Sequence, residues 1–504
     1  MGRITRLPLL VILTGVTALA MYLPAAHAAV MRDYQVARPF FYGGTVFLLL
    51  TVMVGIASSS NRIRPAARSQ ILTILGAYLW LPVVMAVPFN QAVPDTAFFN
   101  AWWEMLSGFT TTGATLYDSP GRLPASVHLW RGLTGWLGGF FALLCISAIL
   151  APLGLGGMEV LSGRLSGGRE GGGPNMRGAD SSARIAYYAG VIFPAYTALT
   201  LVLWVILLTL GESGLAALIL AMSTLSTSGI SFATGLHETR SGMPGELAIF
   251  VFLLLSLTRR SLPGPVLIPR STPLWRDPEL RIAAVIMVLV PLVLFLRHWI
   301  GSFETDDVTD WLAAIRALWG AIFTTLSYLT TTGFESADWG AARSWSGLRA
   351  PGLLLLGLAM LGGGIATAAG GLKLLRVYAL ARHGERELDR LIHPSSIGGG
   401  GEMERQLRRG GAYMSWIFFM LYALSFAVML AAFAVGDLDF DPALVLTVAM
   451  VTTTGPMTAL GADGPIRIAE LSPYIKAVAA VGMIVGRMEV LAILALLAPG
   501  AWRR

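Results

Sequence analysis

Thr110-Thr111-Thr112-Gly113 is a short stretch that the chain writes four times. The other copies are Ser226-Thr227-Ser228-Gly229, Thr330-Thr331-Thr332-Gly333 and Thr452-Thr453-Thr454-Gly455. Each follows a short apolar run, at 98–109, 215–225, 311–329 and 442–451, and each precedes a segment of spanning length. The four glycines lie 116, 104 and 122 residues apart. A unit that recurs as span, half-span, Thr/Ser-Gly and span is an internal repeat. The half-spans are predicted to be re-entrant, because non-helical backbone at membrane depth survives only inside protein or beside a water-filled cavity. Four such units around one axis bring rings of carbonyls and hydroxyls to a common centre.

Composition sets the solvent. Of 504 residues, 55% are hydrophobic and only 13% charged, with a mean hydropathy of +0.67. A soluble domain carries about 25% charged residues. The net charge of +7 comes from arginines between apolar spans, with Lys373 and Lys476 the only lysines, so it reports topology rather than nucleic-acid binding. Cys145 is the single cysteine, which excludes an internal disulfide. Spanning segments are expected at 7–27, 39–57, 69–90, 133–155, 185–210, 246–258, 280–300, 351–381, 412–435 and 473–498. Residues 7–27 are read as a retained first span; the competing reading is a secretory signal cut near Ala26-His27-Ala28. Twenty-three of the 36 basic residues fall at 3–6, 62–68, 164–184, 259–281, 376–409 and 503–504, which assigns those stretches and both termini to the cytoplasm. Glu104, Asp118, Glu304, Asp306, Asp307, Asp310, Glu335 and Asp338 are expected mostly on the other side, where together they form an acidic vestibule that concentrates cations; the competing reading for each alone is a solvated loop charge.

The resulting fold class is an all-α polytopic membrane protein. It has four pseudo-symmetric membrane–pore–membrane repeats around a central ion pore, plus two extra N-terminal helices. The divisions are 1–66 for the added pair, 67–178, 179–278, 279–409 and 410–504 for the repeats. A cation that sheds its water needs several oxygens at fixed distance, and potassium filters supply backbone carbonyls. Glycine permits the left-handed torsions this requires, and a half-helix pointing its carbonyl end inward favours a cation. The span 351–381 is interrupted at 362–371 by Gly362, Gly363, Gly364, Gly370 and Gly371, too many glycines for a stable helix. A mobile intramembrane loop is expected there; tight packing of small residues is the competing reading. Arg487 lies within the last span, where a charge must face water or a partner. Lys373, just past the loop, reads equally as a pore-side or a snorkelling charge.

Several stretches resemble the Trk/Ktr/HKT superfamily of potassium transporters, and its TrkH-type members most closely. They are Ser107-Gly108-Phe109-Thr110-Thr111-Thr112-Gly113-Ala114-Thr115, Gly154-Leu155-Gly156-Gly157-Met158, Arg276-Asp277-Pro278-Glu279-Leu280, Thr331-Thr332-Gly333-Phe334, Gly370-Gly371-Leu372-Lys373 and Gly486-Arg487-Met488-Glu489. The resemblance implies potassium uptake across the bacterial inner membrane. The implied ion ligands are Thr111, Thr112 and Gly113; Thr227, Ser228 and Gly229; Thr331, Thr332 and Gly333; and Thr453, Thr454 and Gly455. Members that admit sodium often carry serine at the first filter glycine, and Gly113 is intact. The resemblance further implies that the 362–371 loop gates the pore and that Arg487 lines it below the filter. Relatives carry more Ser and Thr in that loop; Ala366, Ala368 and Ala369 here remove hydroxyls that gating hydrogen bonds would use. Implied partners are the lipid bilayer, a second copy in a homodimer, and a cytoplasmic nucleotide-binding subunit of the TrkA type. The chain has no nucleotide motif of its own, potassium is expected only as cargo, and no organic cofactor, nucleic acid or enzyme activity is expected. The competing function is an ion-coupled secondary transporter of another cation such as sodium; it explains the broken span but not four matched filter units.

Overall fold

The computed structural model describes residues 8–58, 67–153, 155–157, 181–232, 235–237, 239–258, 260, 274, 277–302, 311–347, 351–393, 412–460 and 464–489. Among them every regular element is helical. In chain order these are α1 (Leu9–Ala20), α2 (Tyr22–Val30), α3 (Tyr34–Ser58), α4 (Ala67–Ala92), α5 (Phe98–Phe109), α6 (Ala125–Cys145), α7 (Ser181–Thr209), α8 (Gly214–Ser226) and α9 (Gly242–Leu253). They continue as α10 (Pro278–Ser302), α11 (Trp311–Leu329), α12 (Trp339–Ser346), α13 (Pro351–Leu361), α14 (Leu374–Ile392), α15 (Ala412–Val435), α16 (Phe440–Val451) and α17 (Pro473–Met488). Seven stretches are long and apolar enough to cross a membrane: Leu9–Val30, Tyr34–Ser58, Ser69–Ala92, Ala125–Leu153, Arg184–Thr209, Pro278–Arg297 and Ala412–Val435. The expected spans at 246–258 and 351–381 are shorter helices, Gly242–Leu257 and Gly352–Leu361, and the end of 473–498 lies outside the described residues.

The half-helices are α5, α8, α11 and α16. Their packing closes a cycle. Helix α6, which ends the first repeat, packs on α8; α9 packs on α11; α13 packs on α16; and α17 returns to α5. Each repeat thus presses its last span against the half-helix of the next. The half-helices are buried as a result: α5 hides Trp103, Glu104, Met105 and Leu106, and α16 hides every residue from Val445 to Val451. The added pair α1–α3 leans on the first repeat through α4 and α6. Its outer side, with Phe41, Tyr42, Val46 and Leu49, is exposed, as a lipid-facing surface requires. Past Cys145, α6 widens into a π-helical turn, Ile146–Leu150, an irregularity common at functional sites.

The predicted interruption of the span 351–381 is present. Helix α13 stops at Leu361, and the chain stays non-helical to Lys373, two residues further than the sequence suggested. Gly362 at φ +74° and Gly371 at φ +75° lie face to face, a Cβ on Gly362 meeting the Gly371 Cα at 2.8 Å. Neither a side chain nor a right-handed turn fits there.

Candidate functional site

All four half-helices end in the same way. The first repeat shows it: Thr111 N–H bonds the Gly108 carbonyl (2.9 Å) and Thr112 N–H bonds that of Ser107 (2.9 Å). The equivalent pairs are Thr227 to Thr224 with Ser228 to Ser223, Thr331 to Tyr328 with Thr332 to Ser327, and Thr453 to Met450 with Thr454 to Ala449. This is the Schellman closure, whose left-handed residue is usually glycine. Here it is threonine each time, at φ +57°, +52°, +57° and +55°. A β-branched residue in that region costs about 1–2 kcal/mol, so four repetitions mark a conformation held by its surroundings.

The triplet then divides its labour. The outer two hydroxyls clasp each other behind the strand: Thr110 with Thr112 (2.9 Å), Ser226 with Ser228 (3.0 Å), Thr330 with Thr332 (3.1 Å) and Thr452 with Thr454 (3.0 Å). The first of each pair also donates to its half-helix, as Thr110 does to Leu106 at 2.8 Å. The middle hydroxyl takes no part. Those of Thr111, Thr227 and Thr453 are buried with no protein partner, and the fourth, on Thr331, accepts the Gly370 N–H at 2.6 Å. Two of the four meet the same residue: Gly370 N–H bonds Thr331, and a Cβ on Gly370 would stand 2.5 Å from Thr453 Oγ1.

The glycines bring the strands edge to edge. A Cβ on Gly113 would stand 1.8 Å from the Ser228 carbonyl oxygen, one on Gly229 2.2 Å from that of Thr332, and one on Gly333 3.1 Å from Pro456. A Cβ on Gly455 would meet Ala114 N at 2.1 Å, which closes the ring. Gly113, Gly229 and Gly333 have φ of +74°, +65° and +80°. The fourth strand differs, because Gly455 opens a 3-10 turn, Gly455–Leu460, and its N–H bonds the Thr112 carbonyl at 2.6 Å.

Directly beneath lies the interrupted stretch. A Cβ on Gly370 would stand 2.1 Å from the Thr452 carbonyl and 2.5 Å from Thr453 Oγ1. Backbone groups hold the loop: Gly364 N–H on the Ser256 carbonyl (3.0 Å), Ile365 N–H on Glu279 (2.9 Å) and Gly370 N–H on Thr331. Lys373 Nζ donates to the Ala369 carbonyl, and Arg487 Nη1 to that of Ala368 (2.6 Å). The loop's bonds run largely through its main chain, with one side-chain bond of its own, the Thr367 hydroxyl donating to the Gly364 carbonyl at 2.7 Å. Arg376, one of the basic residues of the stretch 376–409, is buried. It pairs with Glu489 (2.8 Å), which also accepts the Gly156 N–H (3.2 Å), and its guanidinium stacks over Phe418. Lys373, Arg487 and Glu489 border a cavity of about 40 Å³ with Tyr78 and Cys145.

A family model described as cation transport protein, TrkH, matches residues 248–501. The Trk system potassium uptake protein TrkH of Salmonella typhimurium is 30% identical over 502 residues, covering 98% of each chain. The chain belongs to the TrkH family. Its counterpart of the same name from Escherichia coli K12 is equally similar, at 30% identity over 98% of each chain. The crystal structure of the potassium transporter TrkH from Vibrio parahaemolyticus superimposes with a TM-score of 0.79 at 26% identity, covering 99% of both chains. The TrkH-like stretches converge on the site: Asp277-Pro278-Glu279 supplies the carboxylate that holds Ile365, and Gly486-Arg487-Met488-Glu489 supplies the groups under the loop. Gly154, Met158 and Arg276 lie outside the described residues.

The expected vestibule needs one correction. Glu104 does not line it: its side chain is 3% exposed and bound to Arg131 at 2.8 Å. Asp118 is exposed and Glu335 and Asp338 are half-buried, whereas Glu304, Asp306, Asp307 and Asp310 lie outside the described residues. Sequence reasoning also missed Glu246, 3% exposed and bonded to residues 73 to 91 positions away.

Proposed function

We propose that this TrkH-family chain takes up potassium across the bacterial inner membrane through a channel-like pore. The observation that carries the reading is the ring of middle threonines, four residues in one uncommon backbone conformation with three buried hydroxyls that no protein group uses. A buried unbonded hydroxyl costs roughly 1–3 kcal/mol, and a dehydrated cation on the axis answers that need. Thr112, Ser228, Thr332 and Thr454 are clasped from behind, so they contribute carbonyls rather than hydroxyls. Their following glycines allow the four strands to approach.

The loop 362–373 is the gate. It lies under the ring with Gly370 against two of its strands, and Lys373 and Arg487 both grip it from below. While these bonds hold, the path is shut, and two cations stand on it as a barrier. Opening requires the loop to leave Thr331 and Arg487 to leave Ala368. We assign the trigger to a cytoplasmic nucleotide-binding subunit of the TrkA type, acting on a homodimer whose termini face the cytoplasm. The relatives' name as potassium uptake proteins of the Trk system supports the ion.

Growth of a bacterium lacking potassium uptake, at low external potassium, tests this reading. Wild type restores growth and Gly113→Asp does not, because a carboxylate side chain cannot fit where a Cβ already meets Ser228. Rescue by both proteins refutes the filter assignment. Rescue dependent on sodium rather than potassium transport favours the competing cation reading.

A further inference from the structure

Two buried carboxylates grip the chain just past two of the filter glycines. Glu104, on α5, accepts the Thr115 hydroxyl (3.0 Å), the Leu116 N–H (2.9 Å) and Arg131 Nε of α6 (2.8 Å). Glu246, on α9, accepts the Ala337 N–H (2.6 Å), the Ser336 hydroxyl (2.7 Å) and the Trp319 indole of α11 (2.8 Å). The gripped groups lie two to three residues beyond Gly113 and three to four beyond Gly333. In the cyclic order of repeats, the first and third strands stand opposite each other across the axis.

We propose that Glu104 and Glu246 are positioning residues that fix the outer ends of two opposed filter strands, and so set how well the pore tells potassium from sodium. The proposal rests on the potassium-filter reading. Three observations carry it. Both side chains are 3% exposed, so neither is a vestibule charge that attracts ions. Both bind the filter strand through a backbone N–H, which fixes the main chain whose carbonyls would face the ion. The inner ends of those strands are fixed by their Schellman closures, so the carboxylates complete a strand held at both ends. Aperture must be held within about 0.5 Å for a site to keep its geometry, and a short strand fixed at one end alone does not meet that tolerance.

The carboxylate is the necessary group. It only accepts, and in each case three donors converge on its two oxygens. An amide must turn its NH₂ toward at least one of them. For Glu104→Gln, keeping Arg131 and Thr115 satisfied sacrifices Leu116; for Glu246→Gln, keeping Trp319 and Ser336 sacrifices Ala337. In both cases the bond given up is the one to the strand's backbone N–H, while a hydroxyl of the same strand stays bound.

The experiment measures potassium and sodium flux into proteoliposomes holding the purified full chain, for wild type, Glu104→Gln, Glu246→Gln and Asp95→Asn. Asp95 pairs with Arg122 in an exposed loop and serves as the control. The potassium-to-sodium ratio is expected to fall about fivefold in each Gln variant, the factor that one net hydrogen bond represents. Asp95→Asn is expected to match wild type. Should a Gln variant fail to fold, Thr115→Val and Ser336→Ala remove one donor from each grip and leave the carboxylates in place; both are expected to lower the ratio by a smaller factor. Folded variants of either set with the wild-type ratio overturn the proposal. A chain that carries no potassium even when Gly370→Ala loosens the loop under the filter refutes the reading beneath it instead.

Discussion

Gly113→Ala puts the filter geometry to a quantitative test. The added methyl would stand 1.8 Å from the Ser228 carbonyl oxygen, against an ordinary contact near 3.5 Å, so the first and second strands must part by more than an ångström. Alanine must also hold φ near +74°, at about 1–2 kcal/mol. A carbonyl pushed out of the ring removes a charge-assisted interaction worth about 1.5–3 kcal/mol to a dehydrated ion. Sodium is too small to have used the full ring and loses less, so the potassium-to-sodium flux ratio is expected to drop tenfold or more, with 1.4 kcal/mol per factor of ten. Gly347→Ala separates clash from strain, because Gly347 sits at φ +58° with nothing within 4 Å. It is expected to lower the melting temperature slightly and leave the ratio alone. A folded Gly113→Ala protein with the wild-type ratio refutes the reasoning.

Gly370→Ala pushes a methyl onto the Thr452 carbonyl, 2.1 Å away, with no left-handed strain of its own. Basal flux without any regulatory subunit is expected to rise several-fold, and unchanged flux would remove the loop from the gate. Arg131→Met leaves the Glu104 carboxylate buried without its cation; the cost of roughly 3–5 kcal/mol is expected as a marked fall in the thermal midpoint of purified protein. Burial holds the Glu335 carboxyl above the usual carboxylate range, against the opposing pull of His237 and Arg343. It therefore keeps its proton to higher pH than exposed carboxylates do and gains charge only as external pH rises past their range. Uptake at low potassium is expected to keep climbing there, and Glu335→Gln to flatten that limb of the profile.

The four-repeat architecture was legible because its punctuation is local: a half-span, a Thr/Ser triplet and a glycine recur whatever packs around them. The broken span was legible for the same reason, since five glycines within ten residues weaken a helix locally, at about 1 kcal/mol each. The division inside each triplet was not. Thr111 looks like Thr110 and Thr112 in the sequence, and only the Schellman closure puts its hydroxyl on one side and theirs on the other. Rules of helix ending would have placed glycine, not threonine, at the left-handed position. Glu104 misled because its partners, Leu116 and Arg131, lie 12 and 27 residues on. Glu246 gave no local signal at all, since its three donors belong to the next repeat. A lone acidic residue beside a half-span reads as a solvated charge until the fold brings donors to it.

The most direct test of the central claim is anomalous diffraction from crystals of the full chain grown in rubidium, a heavier ion of potassium's chemistry. The account predicts density on the axis, with one position level with the hydroxyls of Thr111, Thr227, Thr331 and Thr453. Rubidium bound elsewhere, with that ring empty at saturating concentration, would contradict it.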